Sequence, residues 1–364
     1  DETYDKDWFS DLKLEKGSDF FYLNRFSEYY SSHLGPQVRY TIGQDTQSIL
    51  NLCGDPKREE SRHIRGLIFG FVQSGKTINY LSVANGAMDT GYDIIVILAG
   101  ATNILRRQTQ ERLNRDLIGQ SAGKIVGVGE VDFKNEKKPI SLTTIERDFN
   151  RNVAEAQMSG LTLHTAKTPV VAVLKKNVSP LKNLRKWLLQ QARDGNLNKS
   201  ILLIDDESDY ASVNTNEENN PTSINKGIRE ILNVFSVSTY LAVTATPFAN
   251  ILIDHEGTNE EQGSDLFPRS FIWALERPET YLGVRETLGN GFVNVLESPE
   301  CDPEDLQNEV IQLLSAKKDF EHSYLPMLIK NAACRFFYDA TCLRKARPET
   351  DHLSMLVNVS RFTD

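Results

Sequence analysis

Five short apolar runs set the limits on what this chain can fold into: "GLIFG", "DIIVILAG", "VVAVL", "ILLID" and "YLAVT", spread between Gly66 and Thr244. Each is rich in β-branched residues, and each is separated from the next by stretches with helical spacing. Runs of this kind carry apolar side chains on both faces of the pleat, so both faces must be covered. That is the condition of a parallel sheet packed between helices. An α/β domain with a buried, mainly parallel sheet is expected over residues 63–255. Within it "SINKGIREILNVFS" reads as a covering helix, with Ile224, Ile228, Ile231, Leu232 and Phe235 on one face.

The flanks have another character. Residues 1–62 mix aromatics with charges and predict a mostly helical N-terminal extension. Residues 256–350 predict a polar surface loop, "HEGTNEEQGSD", followed by a helical insert, and residues 351–364 read as the first strand of a second lobe that runs on beyond the chain. The chain starts without methionine, which points to an excised fragment. Its 364 residues, 40% hydrophobic and 25% charged, suffice for two or three units with cores of their own. No apolar run approaches the roughly 18 to 20 residues that span a bilayer. The N-terminus "DETYDKDWFSD" is acidic where a signal peptide is basic, so a cytoplasmic protein with no membrane partner is expected. Cys53, Cys301, Cys334 and Cys342 form no C-x-x-C pair and read as small buried hydrophobes. A net charge of −9 argues against a surface coated with nucleic acid and leaves room for a local basic groove.

Chemistry concentrates at the ends of these runs. Gly70, Gly75, Lys76 and Thr77 complete G-x-x-x-x-G-K-S/T between a strand and a helix, with Gln73 and Ser74 inside the loop. Such a loop closes backbone N–H groups on phosphate oxygens, Lys76 reaches the β and γ phosphates, and Thr77 holds magnesium, so ATP and Mg2+ are the expected ligands. "ILLIDDESDY" supplies the partner carboxylates. Read as D-E-x-D, Asp206 holds the metal, Glu207 deprotonates the attacking water and Asp209 links the site to its neighbours. Asp205 is the rival for the metal role; its other reading is a strand-end residue that caps the turn. In "YLAVTATPFANI" the strand ends in Thr244, Ala245, Thr246 and Pro247, which brings two hydroxyls beside the carboxylates to sense the γ phosphate.

The loop, D-E-x-D and T-A-T-P, in this order, resemble the first, RecA-like motor lobe of superfamily 2 helicases and translocases. Longer words, "GFVQSGKTINY", "GYDIIVILAGATNILRRQTQERL", "LLIDDESDYASVNT", "STYLAVTATPFANILI" and "DLFPRSFI", spanning about 66 to 272, resemble the helicase-associated Z-one domain family. Fainter agreement extends to "TIGQDTQSIL" and "SMLVNVSRF". That family consists of bacterial proteins described as endonucleases and linked to phage defence. The resemblance implies an ATP-hydrolysing motor core acting on nucleic acid, DNA ahead of RNA, in a restriction or defence protein that has a protein partner of the same system.

Carried over by motif, the superfamily's first DNA-contacting element falls on Thr102, Arg106, Arg107 and Gln108, where a helix start can meet backbone phosphates; a solvated helix face explains the arginines equally well. Lys175, Lys176 and Asn177 form a second such patch, with an exposed basic turn as the alternative. Gln44 or Gln47 falls where the superfamily's glutamine motif reads an adenine edge. The second lobe would supply the arginine finger. No nuclease cluster is legible, and His255 and His322 stand alone. A nucleotide-gated switch or scaffold that binds a protein partner without translocating stays open beside the motor, as does the ATPase part of an endonuclease whose cutting site lies elsewhere.

Overall fold

The computed structural model describes residues 7–17, 19–57, 61–71, 75–192, 194–214, 222–253, 258–259, 263–277, 334–338 and 341. The chain divides into two compact units, Asp1–Gly283 and Val284–Asp364. In the second, the described residues are helical, and Cys334 is exposed there, as are most of its neighbours. That corrects the expectation of a buried thiol, which holds for Cys53 in the first unit. Cys301, Cys342, His255, His322 and most of the expected insert and final strand lie outside the described residues.

The first unit opens with three helices, α1 (Trp8–Lys16), α2 (Phe21–Tyr29) and α3 (Pro36–Cys53). Strand β1 (Arg62–Phe69) then leads into α4 (Lys76–Thr90), and β2 (Ile94–Ala99) into α5 (Asn103–Leu113), which a π-helical turn, Asn114–Ile118, prolongs. A small hairpin, β3 (Gln120–Ser121) and β4 (Lys124–Ile125), precedes α6 (Val128–Val131), β5 (Ile140–Ser141) and α7 (Arg151–Met158). The alternation resumes with β6 (Val170–Lys175), α8 (Val178–Gln191), β7 (Leu197–Asp206), α9 (Ser223–Leu232), β8 (Phe235–Thr244) and α10 (Phe248–Ile251). Within the acidic loop lies a two-stranded hairpin, β9 (Thr258–Asn259) and β10 (Gly263–Ser264), and β11 (Phe271–Ala274) follows.

Seven strands form one sheet in the order β11-β1-β8-β7-β2-β6-β5, every pairing parallel. This is the buried parallel sheet of the sequence expectation, and it takes in residues 271–274 at its edge. Side-chain alternation divides the strands between two cores. Ile95, Ile97, Val171, Val173, Leu202, Ile204, Leu241 and Val243 pack with α4 and the aromatic N-terminal residues Trp8, Phe9, Phe20 and Phe26. Their neighbours Ile94, Val96, Ala172, Leu174, Ile201, Leu203 and Ala242 pack with Leu184 and Trp187 of α8 and Ile228 and Ile231 of α9. The N-terminal helices are thus one covering layer of the sheet. Gly66 in mid-strand is explained by the edge: a Cβ there would meet the Phe271 ring at 2.1 Å, so β11 needs a glycine opposite it.

One sequence expectation changes. The helix carrying Ile224, Ile228, Ile231 and Leu232 stops at Leu232, and Phe235 begins β8 instead of extending the helical face. Phe235 is buried in either role, so its apolar character did not reveal the element it belongs to. Among the described residues no helix is long and apolar enough to cross a membrane.

Candidate functional site

Because β1, β8 and β7 are parallel neighbours, the loops at their C-terminal ends open on the same edge of the sheet, where α/β folds bind ligands. Three motifs distant in sequence meet there, around a cleft of about 880 Å³ lined by Gly75, Lys76, Thr77, Asp206, Glu207, Asp209, Thr244 and Thr246, among others. Strand ends are tied directly as well: Gly70 N–H donates to the carbonyl of Thr244 at 3.3 Å.

Gly75 adopts φ 89°, a left-handed conformation that favours glycine, and the chain turns there into α4. No side chain caps the first turn of α4, so the orphan N–H groups of this 15-residue helix face the cleft with the helix's positive dipole end. Lys76 Nζ folds back on the loop and donates to the carbonyls of Gly70 at 3.2 Å and Phe71 at 2.7 Å. Burial pushes its pKa down, and Asp206, Asp209 and Glu207 oppose that shift. Gln73 and Ser74 lie outside the described residues.

Asp206, at the end of β7, accepts from Tyr80 Oη at 3.0 Å and from the N–H of Glu207 at 3.1 Å. Burial raises its carboxyl above the ordinary range; the Tyr80 hydrogen bond works against that, and the nearby Glu207 carboxylate adds to it. Glu207 itself has φ 54°, left-handed for a residue with a Cβ, a conformation that costs on the order of 1–3 kcal/mol and persists only when its surroundings hold it. Asp209 receives both hydroxyls of the third motif, Thr244 Oγ1 at 2.6 Å and Thr246 Oγ1 at 2.7 Å, while Thr246 N–H donates to Thr244 Oγ1 at 2.9 Å.

Among the described residues no group of three or more His, Cys, Asp or Glu stands ready to hold a metal. The donor set nevertheless fits Mg2+, which is bound through one or two protein oxygens and substrate phosphates, here Thr77 and Asp206, which line the same cleft. Asp205 does not compete. It is fully buried, accepts from Tyr240 Oη at 2.7 Å, and has the Lys176 ammonium 2.8 Å from Oδ1.

Several expected nucleic-acid contacts have other positions. Arg106 is 2% exposed and donates to the carbonyls of Thr144, at 2.9 Å, and Ile145, so it fastens α5 to the segment after β5 and offers nothing to a phosphate. Lys176 is buried too, because the residue after Lys175 points under the sheet edge to Asp205. Thr102 is exposed and caps α5 by accepting from the N–H of Leu105 at 3.2 Å. Arg107 is exposed and pairs with Glu146 at 3.0 Å. Lys175 donates to Asn103 Oδ1 at 3.0 Å at the mouth of a second, polar hollow of about 550 Å³ that also takes in Arg147, Asn150 and Asn177. Gln44 is exposed in the middle of α3 and does not line the cleft; its neighbour Gln47 bonds Lys13 and Ser10.

Two residues that touch the motif side chains escaped the motifs. Tyr80, buried one helical turn beyond Lys76, donates to Asp206 from behind the cleft. Arg112, on α5, donates to Thr77 Oγ1 at 3.3 Å, and nothing but its charge marks it in the sequence.

A family model described as "Type III restriction enzyme, res subunit" matches residues 42–249, the stretch that contains all three motifs. No curated protein matches the chain. Among solved structures, the helicase domain of Pyrococcus furiosus Hef is similar at 14% identity with a TM-score of 0.38, a superposition too loose to carry function across. It covers 82% of this chain, which spans 58% of that helicase domain.

Proposed function

The chain belongs to the type III restriction enzyme res subunit family, and on that footing we propose that it binds and hydrolyses ATP with Mg2+ as the motor core of a superfamily 2, helicase-like protein acting on nucleic acid. DNA is the preferred substrate over RNA, and a bacterial restriction or phage-defence protein of the Z-one domain kind is the setting. The observation that carries this is the meeting of three motifs on one cleft: Lys76 and Thr77 at the start of α4, Asp206 and Glu207 at the end of β7, and Thr244 and Thr246 clasped to Asp209.

The residues divide the work in a consistent way. Lys76 gives up two backbone carbonyls to meet phosphate oxygens, and the uncapped start of α4 adds N–H donors. Magnesium, held by Thr77 and Asp206, supplies charge neutralisation on the phosphates. Glu207 stands beside Asp206 as the base that takes the proton of the attacking water. Asp209 and the two threonines form the link by which the state of the cleft reaches β8 and the sheet edge. Thr102, Arg107 and Lys175, exposed or partly exposed past the ends of β2 and β6, are the side chains that reach a nucleic-acid backbone. Any nuclease chemistry belongs to residues outside those described.

The test is ATP turnover with and without single- and double-stranded DNA, beside Lys76→Ala and Glu207→Gln. DNA-stimulated hydrolysis that both variants abolish supports the motor. Hydrolysis or nucleotide binding indifferent to DNA, with no ATP-sensitive DNA binding, overturns the motor in favour of a nucleotide-gated switch.

A further inference from the structure

Lys176 lies buried beneath the turn that bears the candidate base and donates two hydrogen bonds to it. Its side chain is wholly buried; Nζ stands 2.8 Å from Asp205 Oδ1 and donates to the carbonyls of Glu207 at 2.5 Å and Tyr210 at 3.3 Å. An ammonium offers three donors on a flexible stem, and here two of them grip the two ends of a single turn, Glu207 to Tyr210, with the Asp205 carboxylate alongside as counter-ion. The turn closes on itself through Tyr210 N–H and the Glu207 carbonyl at 2.9 Å.

The gripped carbonyl belongs to the residue whose backbone is left-handed at φ 54°. A glutamate relaxes from that region unless its peptide groups are held. The orientation of the Glu207 carbonyl is coupled to the backbone angles that aim its side chain at the cleft. Asp205, itself fixed by Tyr240, stands beside the lysine as its counter-ion. We infer that Lys176 is a positioning residue: from beneath β7 it holds Glu207 in its strained conformation and so sets the direction of the base, and it makes no contact with nucleic acid. This rests on ATP hydrolysis at the cleft as proposed above.

Removing the lysine alone would strand a buried carboxylate, so the variant to make is Lys176→Met with Asp205→Asn, which removes both charges together. In a folded double variant, kcat for ATP is expected to fall about 10- to 100-fold, the cost of a base displaced by roughly an ångström. KM and nucleotide affinity stay near the wild-type values, and amide hydrogen exchange over residues 207–210 accelerates. A purely structural lysine would lower thermal stability without splitting kcat from KM. Asp205→Asn by itself leaves the buried ammonium without its counter-ion but keeps both carbonyl bonds, so it is expected to lower stability while kcat falls clearly less than in the double variant. A double variant with wild-type kcat and wild-type exchange overturns the inference; so does an Asp205→Asn protein that loses as much turnover as the double variant, because the ion pair alone would then explain the effect. If the wild-type protein hydrolyses no ATP, the proposed activity fails separately, and exchange over residues 207–210 still decides whether Lys176 holds the turn.

Discussion

Tyr80 Oη donates a 3.0 Å hydrogen bond to Asp206 Oδ2, joining the helix that begins at Lys76 to the strand that ends at Asp206. Tyr80 is 1% exposed and burial raises its pKa well above the ordinary phenol, so it remains a donor through the neutral range.

Tyr80→Phe therefore removes one hydrogen bond to a charged group and little packing. The expected outcome is a further rise in the Asp206 pKa and a loss of Mg-ATP affinity of about 1.5–3 kcal/mol at most, read by isothermal titration calorimetry at several pH values. In the wild type, metal binding should already weaken on acidification at a pH above the ordinary carboxylate value of about 4, because protonated Asp206 no longer offers an anionic ligand. In the variant that weakening should begin at a higher pH still.

The Arg112 guanidinium donates to Thr77 Oγ1 at 3.3 Å. If Thr77 holds Mg2+ as proposed, the cation would repel Arg112 toward the phosphates. Arg112→Ala is expected to weaken ATP binding by up to about fivefold, the scale of an exposed charge contact, with no change in melting temperature. Fluorescent-nucleotide titration with ATP and ADP measures it, and equal affinities in wild type and variant would remove Arg112 from the site.

Arg106 and Arg107 should part company under mutation. Arg106→Ala frees two carbonyls from a buried guanidinium and is expected to destabilise the protein by about 2–4 kcal/mol in urea unfolding. Arg107→Ala breaks an exposed pair worth less than about 1 kcal/mol and leaves stability nearly unchanged. If Arg107 meets a phosphate, its variant binds DNA more weakly with a salt slope reduced by about one.

Asp89 provides a pH prediction. Its carboxylate accepts the N–H of Tyr22 at 3.1 Å and of Leu23 at 2.8 Å, pinning α2 to α4, and burial lifts its pKa to about 6 despite these bonds. The folded protein then holds this proton more tightly than the unfolded chain, whose value is 3.8. Between those two values the folded state binds more protons, so this group's contribution to stability grows as pH falls through about 6 and levels off below 3.8. The urea midpoint of the wild type minus that of Asp89→Asn should therefore shift in the wild type's favour as pH falls through that window, and a constant difference would contradict the shift.

Much of this was legible without coordinates. Alternating apolar runs demanded a sheet covered on both sides, because a β-branched run with no polar face has nowhere else to go. The phosphate loop, the acidic cluster and T-A-T-P could be named from residue types, since each chemistry needs those groups at strand ends. What remained was a choice within adjacent pairs: Asp205 or Asp206, Lys175 or Lys176, Arg106 or Arg107. Neighbouring side chains on a strand point to opposite faces, and those on a helix diverge by about 100°. One of each pair therefore meets the cleft or solvent and the other goes inward; the D-E-x-D pattern already favours Asp206 over Asp205, while for the two basic pairs sequence supplies the pair without the assignment. Tyr240 across β8 and the carbonyls of Thr144 and Ile145 after β5 decide it, by offering the inward member a partner at hydrogen-bonding distance. Those partners come from strands and segments far along the chain, and only the folded sheet brings them together.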